Sequence, residues 1–469
     1  MLKRLAIILL LAGAALMLLP HLGRDLWFDE ALTVLQFAVL PDAAAICRNY
    51  VIPNNQIVHT ILLHHWMQLV PPENTLLRIF PMLTALAAAG GLWAGFRRRL
   101  GAWPLGIALT AWILSVPFAI YGTALRGYML SAFWIALALR AACHAAENRR
   151  YRDLAWWAVW CFLAVGTIPT NLLGLCAAVL YAAPFFGKKF WKTGYFWFFA
   201  WIPLVMLGIF YLPILPRFLG CCRLGEGWHD HGRAAVAVLL PVGVTFAVPM
   251  LLSLAVCRRW FRRREALLRG LIWLQASAVV LIFSVAPFPR TFFPLFPVYV
   301  ILLAGGLRHG MAVLPPKRRK MAAWTAFLLT LVWGWAASSP CFLNVCSRLS
   351  GGPEQDDYFL PYCMEKSFSP SRIAGEVLKL DPDRTGKVFA SFRADPWSML
   401  FALLQRGAPA EYCVFDGPRR KVDTLPDRAM ILLHREEDPA PFAARFGGRL
   451  VLPTEYGRSV LYQLQRPPM

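Results

Sequence analysis

Up to about residue 340 the chain alternates long apolar stretches with short polar, often basic, connections. Crossing a bilayer takes about 20 apolar residues in a helix. That pattern predicts spans near 5–22, 77–96, 102–120, 127–146, 154–168, 169–187, 195–215, 234–256, 266–286, 291–307 and 321–340. From Cys341 onward the pattern changes. Charges of both signs appear, with turn signals such as Asp381-Pro382-Asp383. Short β-rich runs follow at Lys387–Ser391, Tyr412–Phe415, Ala429–His434, Arg449–Leu452 and Ser459–Gln463, with a helix expected over Pro396–Gln405. The expected architecture is a polytopic α-helical membrane protein of about eleven transmembrane helices (residues 1–340) carrying a small C-terminal α/β domain (residues 341–469).

Composition agrees with a lipid solvent. The chain has 469 residues and is 58% hydrophobic and only 16% charged, against about 25% charged in a typical soluble domain. Its net charge of +22 alone would suggest a polyanionic partner. The distribution argues otherwise: residues 1–340 hold 31 Lys/Arg and 10 Asp/Glu, and residues 341–469 hold 17 and 16. With the N-terminus inside, 23 basic residues of the membrane part fall on inner loops and eight on outer ones. Positive charge marks the cytoplasmic side, so this excess orients the chain and implies no nucleic-acid partner. Eleven spans then place residues 341–469 outside, periplasmic or extracellular, with the protein in the plasma (bacterial inner) membrane. Lys3 and Arg4 before an apolar run resemble a signal peptide, read here as a retained first span. Outer cysteines would be Cys47, Cys221, Cys222, Cys341, Cys346, Cys363 and Cys413. An oxidising compartment permits disulfides among them, but spacing fixes no pairing.

Candidate chemistry concentrates outside. The first outer loop, 23–76, opens Leu26-Trp27-Phe28-Asp29-Glu30-Ala31. Asp29 and Glu30 are adjacent carboxylates at the membrane edge. They are either a helix cap with its favoured acidic first turn, or a general base with an assisting neighbour in a partly desolvated cleft. Interfacial helices are expected near 30–40 and 56–69. Between them, Asn54, Asn55 and His59 offer hydrogen-bonding groups for a sugar or phosphate; an Asx turn is the structural alternative. Arg78, Arg126 and Arg290 sit at outer span ends. Each is either a snorkelling side chain or a phosphate-binding fork. Tyr121 and Tyr128 flank Arg126 and either orient a phosphate or belong to an aromatic belt. The outer loop Gly225-Glu226-Gly227-Trp228-His229-Asp230-His231 is expected to be a mobile cover or a solvated connection, and no metal or other cofactor is expected.

Several motifs in order are similar to the type C glycosyltransferases, in the protein mannosyltransferase and lipid A aminoarabinose transferase branch. These are the Trp-x-Asp-Glu-Ala loop, the Asn54-Asn55/His59 segment, Leu77-Arg78-Ile79-Phe80-Pro81, Tyr121 through Tyr128 around Arg126, and Pro289-Arg290-Thr291-Phe292-Phe293-Pro294. The resemblance covers about residues 20–310. It departs at Asn55-Gln56-Ile57, where relatives have His-Pro-Pro; at Thr291, where several have Tyr; and at Asn171-Leu172, where His-Tyr is common. It implies an inverting transfer of a sugar from a polyprenyl-phosphate donor to a lipid, protein or polysaccharide acceptor at the outer face; with no Asp-x-Asp at Asp29, the chemistry is expected to be metal-independent. A lipid or solute transporter without transferase activity is the alternative. A membrane scaffold with an outer sensor domain is a third reading. Against a transporter, the sequence shows no repeated span pattern or paired interrupted helices.

Overall fold

The computed structural model describes the chain except residues 1, 53–54, 187–193, 224–230, 257–263, 283–288, 353–355, 366, 418–420, 428 and 467–469. It divides into two compact units: Met1–Leu22, Pro41–Trp66 and Arg78–Pro361 form the first, and Gly23–Leu40, Met67–Leu77 and Tyr362–Met469 the second.

The first unit is helical. Among the described residues five helices are long and apolar enough to cross a membrane: Asn74–Leu100, Gly127–Asn148, Gly194–Gly220, Gly232–Ser253 and Pro289–Val313. Pro316–Ala337 and Pro340–Leu349, bent by 74°, would make a sixth. The expected stretch 102–120 shows why fewer helices reach full length than the eleven expected. It breaks into Ala102–Ile113 and Val116–Tyr121. Ser115 caps the second piece, its Oγ accepting from Phe118 N at 3.3 Å, and Pro117 follows in the first turn. Leu5–His21, Asn171–Phe186 and Leu268–Ile282 are also apolar but short. On the Gly194–Tyr211 helix, Trp197, Trp201, Val205 and Ile209 recur every fourth residue and are about half exposed. A row of that kind faces lipid, since a soluble surface avoids contiguous apolar patches. The chain is an integral membrane protein.

Gly127–Asn148 is the central helix of this unit. It packs on Tyr151–Thr167, on Asn171–Ala182 and on the 3-10 turn Pro289–Leu295. Its first residue, Gly127, permits a close approach. A Cβ there would lie 2.6 Å from Thr167 Cγ2, 3.0 Å from Gln56 Oε1 and 3.1 Å from His59 Cβ.

The second unit holds a five-stranded sheet: β1 Val388–Ala390, β2 Cys413–Val414, β3 Met430–His434, β4 Arg449–Tyr456 and β5 Ser459–Gln465. The order is β2-β1-β3-β5-β4, with β1 parallel to β2 and β3, and β5 antiparallel to β3 and β4. Each expected β-rich run overlaps one of these strands, with β4 and β5 running on to Tyr456 and Gln465, and Pro396–Gln405 is a helix. Alternation along β1 and β3 splits the core. Val388, Ala390, Met430 and Leu432 join Ile373, Val377, Met399 and Leu403 on one face; Phe389, Ile431 and Leu433 join Phe446 and Leu464 on the other.

Residues 23–40 fold with this sheet for specific reasons. The Asp25 carboxylate accepts from Ser371 N at 3.0 Å, in the first turn of the Pro370–Leu380 helix, and from Asn74 Nδ2 at 3.2 Å. Leu35 packs against the core face that holds Met399 and Leu403, and the Phe28 ring meets Phe392 edge-on at 5.2 Å.

Candidate functional site

In the second unit, Asp29 and Glu30 lie in the short helix Phe28–Leu32, which packs on Pro396–Gln405. Glu30 is 2% exposed and accepts from Trp27 N at 3.2 Å, which holds the start of its own helix. Asp29 is half-buried. Thr33 Oγ1 donates to its backbone carbonyl at 2.7 Å.

The first unit gathers Arg78, Tyr121, Arg126, Tyr128 and Arg290 around the N-terminus of the Gly127–Asn148 helix. Arg78 is buried and donates from Nη1 to the Thr123 carbonyl at 2.7 Å, fixing the turn that leads to Arg126. Arg126 is the N-cap residue, 3% exposed, with its guanidinium carbon 5.8 Å from the Tyr128 ring centroid. Arg290 Nε donates to Tyr128 Oη at 3.1 Å. Tyr128 therefore stands between two guanidinium groups. A helix N-terminus already carries partial positive charge, and two guanidinium groups stand beside it, that of Arg290 paired with the Asp357 carboxylate.

His59 sits at this same point. It is 1% exposed, its ring lies 5.7 Å from that of Phe80, and neither ring nitrogen has a hydrogen-bond partner among the described residues. Burial, and secondarily the Arg126 charge, pull its pKa down to about 3. The imidazole is neutral at physiological pH. Gln56 Oε1 accepts from Gly127 N, tying the helix start to the same short segment. Asn55 has a structural role in this segment. Its Nδ2 donates to the Ile46 carbonyl at 2.9 Å and the Asn49 carbonyl at 3.1 Å, closing the Ala43–Arg48 helix. Asn54 and residues 225–230 of the expected cover loop lie outside the described residues.

Sequence reasoning missed one partner of the cluster. Asp357 accepts from Arg290 Nη1 at 2.9 Å with Oδ1 and from Arg290 N at 3.1 Å with Oδ2. Tyr121 Oη donates to the Asp357 carbonyl at 2.6 Å, and Tyr358 Oη donates to the Pro289 carbonyl. Burial pushes the Asp357 carboxyl pKa up, and Arg290 opposes that shift. The visible signal was Asp356-Asp357-Tyr358-Phe359, paired carboxylates before aromatics as at Asp29-Glu30. Among the described residues no group of three His, Cys, Asp or Glu side chains could hold a metal ion.

No family model and no curated protein matches the sequence. Solved structures do match in shape. ArnT from Cupriavidus metallidurans in the apo state superposes with a TM-score of 0.58 at 16% identity, covering 98% of this chain and 99% of that one. The same protein bound to undecaprenyl phosphate gives 0.58 at 14% identity, with the same coverage. The arabinofuranosyltransferase AftD from Mycobacteria gives 0.52 at 14% identity, covering 99% of this chain and 41% of that one. Sequence identity this low speaks to architecture alone, and the architecture is plain: the chain has the type C glycosyltransferase fold.

Proposed function

We propose that this protein transfers a sugar from a polyprenyl-phosphate donor to an acceptor at the outer face of the plasma (bacterial inner) membrane. The observation that carries the reading is the pair Arg126 and Arg290, both in contact with Tyr128 at the start of the Gly127–Asn148 helix. Two guanidinium groups beside a helix N-terminus favour an anion, here in addition to the Asp357 carboxylate that pairs with Arg290. The phosphate of a lipid-linked sugar is such an anion. ArnT, which shares the fold, has been solved with undecaprenyl phosphate bound.

In this reading the acceptor hydroxyl oxygen attacks the anomeric carbon with inversion. The bond from that carbon to the phosphate oxygen breaks, and its electron pair leaves with the phosphate. Arg126 and Arg290 stabilise the charge that develops there. Asp29 takes the acceptor proton, and Glu30 keeps the helix that bears Asp29 in place. Neutral His59 can accept a hydrogen bond from a sugar hydroxyl or donate one to phosphate. The step is assigned without a metal. Residues 1–340, with eleven spans and the N-terminus inside, form the transferase domain, and residues 341–469 lie outside, their first part up to Pro361 folding with the first unit and Tyr362–Met469 with the second.

A donor titration tests the reading. Arg126→Ala and Arg290→Ala should each raise the donor KM about tenfold or more, the scale of a lost charge-assisted contact. Unchanged donor affinity in both would remove the phosphate site.

A further inference from the structure

We propose that Asp357 is the positioning residue for Arg290, locking its guanidinium in the orientation that receives the donor phosphate. The proposal rests on the reading of Arg290 as a phosphate ligand. Its evidence is the construction of the 356–360 turn.

Asp357 grips one residue at two points, the backbone N–H and the guanidinium of Arg290. A side chain fixed by one contact can swing about its stem. Fixing backbone and head together removes most of that freedom. The gripping turn is itself rigid. Asp356 Oδ1 accepts from Tyr358 N at 2.9 Å and Phe359 N at 3.0 Å, and its Oδ2 accepts from Leu360 N at 2.6 Å. Tyr121 fixes the Asp357 carbonyl, and Tyr358 reaches back to Pro289, the residue before Arg290. Asp356, Asp357, Tyr358 and Phe359 are all buried.

This construction decides between two roles for a carboxylate on an anion site. A stand-in that yields to phosphate belongs on a loose, exposed segment. The anchored backbone keeps the Asp357 side chain within reach of both the N–H and the guanidinium of Arg290, as a positioning carboxylate requires. Arg290 Nε also donates to Tyr128, so the guanidinium plane is set from two directions.

The test is a titration of the purified protein in nanodiscs with undecaprenyl phosphate. It compares the native chain with Arg290→Ala, Asp357→Asn, Asp357→Glu and the double variant Arg290→Ala/Asp357→Asn. Asp357→Asn should weaken binding about tenfold, as loss of an orienting partner does at other anchored sites. Asp357→Glu should recover part of that loss. The double variant should bind no more weakly than Arg290→Ala alone, because the carboxylate acts only through the guanidinium. Weak binding by Arg290→Ala with native or tighter binding by Asp357→Asn overturns the positioning role and leaves the phosphate site standing. Native binding by Arg290→Ala overturns both. Where Asp357→Asn fails to fold, Tyr358→Phe removes one bond of the turn and no charge. It should weaken binding about threefold, the scale of one hydrogen bond, and unchanged affinity there overturns the proposal.

Discussion

The Asp357 carboxylate holds Arg290 twice, at its backbone N–H and at its guanidinium, across 67 residues of sequence. Both partners are mostly out of water, with side chains 18% and 8% exposed for Arg290 and Asp357. Removing one member of such a pair leaves a buried charge alone, at a cost of about 3 kcal/mol or more. Arg290→Ala should therefore lower the thermal unfolding midpoint. Adding Asp357→Asn to it should restore part of the loss. A double variant as unstable as the single one would show that the pair is not what holds this part together.

Gly127 is a packing constraint of a different kind. An alanine there would crowd Thr167, Gln56 and His59 at 2.6 to 3.1 Å. Overpacking of this degree costs about 1–3 kcal/mol. Gly127→Ala should be destabilised by that amount and should weaken donor binding, since the helix start carries the arginine cluster. Native stability and affinity would mean that the site has room the structure does not show.

The pH dependence of stability should carry a His59 component. Its folded pKa of about 3 lies below the usual value near 6.5. Between those values the unfolded chain binds a proton that the folded chain does not. Stability should therefore fall as the medium is acidified from pH 6.5 towards pH 3, by about 1.4 kcal/mol per pH unit for one proton. Unfolding followed across this range should show a shallower acid slope in His59→Gln. Equal slopes would place the acid sensitivity elsewhere.

In the second unit, Arg445 and Asp416 form a paired contact at 2.7 and 2.8 Å, and Val422 N donates to Asp416 at 2.9 Å. The hydrogen bonds from Arg445 hold the Asp416 carboxyl below the usual carboxylate range. A depressed acid contributes stability above its unfolded pKa and loses it as the pH falls through the folded one. The pair is partly exposed, so screening limits Asp416→Ala to about 1 kcal/mol at neutral pH. That loss should shrink below about pH 4, where the unfolded carboxyl is already protonated.

Much of the helical pattern and the strand pattern was legible in the sequence, because both follow from local periodicity. Each β-rich run after residue 380 overlaps a strand, and helices lie in all eleven apolar stretches. Their lengths were harder to read. Ser115 and Pro117 end a helix inside a stretch that hydropathy alone treats as continuous. Long-range partners carried the least signal. Nothing local says that Asp25 binds the turn at Ser371, or that the turn after Asp356 returns to Pro289 and Arg290. Arg126, Tyr128 and Arg290 could be named from residue type at span ends. That Asn55 ties down a neighbouring helix, and that Gln56 meets Gly127, depends on a close approach that sequence spacing does not encode.

Sugar transfer from a polyprenyl phosphate can be followed directly. The direct measurement incubates the protein in nanodiscs with polyprenyl-phosphate-linked sugars and an outer-membrane or cell-envelope acceptor fraction. It follows labelled sugar on the acceptor and free polyprenyl phosphate together. The native chain should give equal amounts of both products, Asp29→Asn should lose both with its fold retained, and Arg126→Ala should show a raised donor KM. Near-normal turnover by Asp29→Asn would remove the base assignment. Donor binding or movement across the bilayer with no sugar transfer to any acceptor would contradict the account itself and mark a transporter.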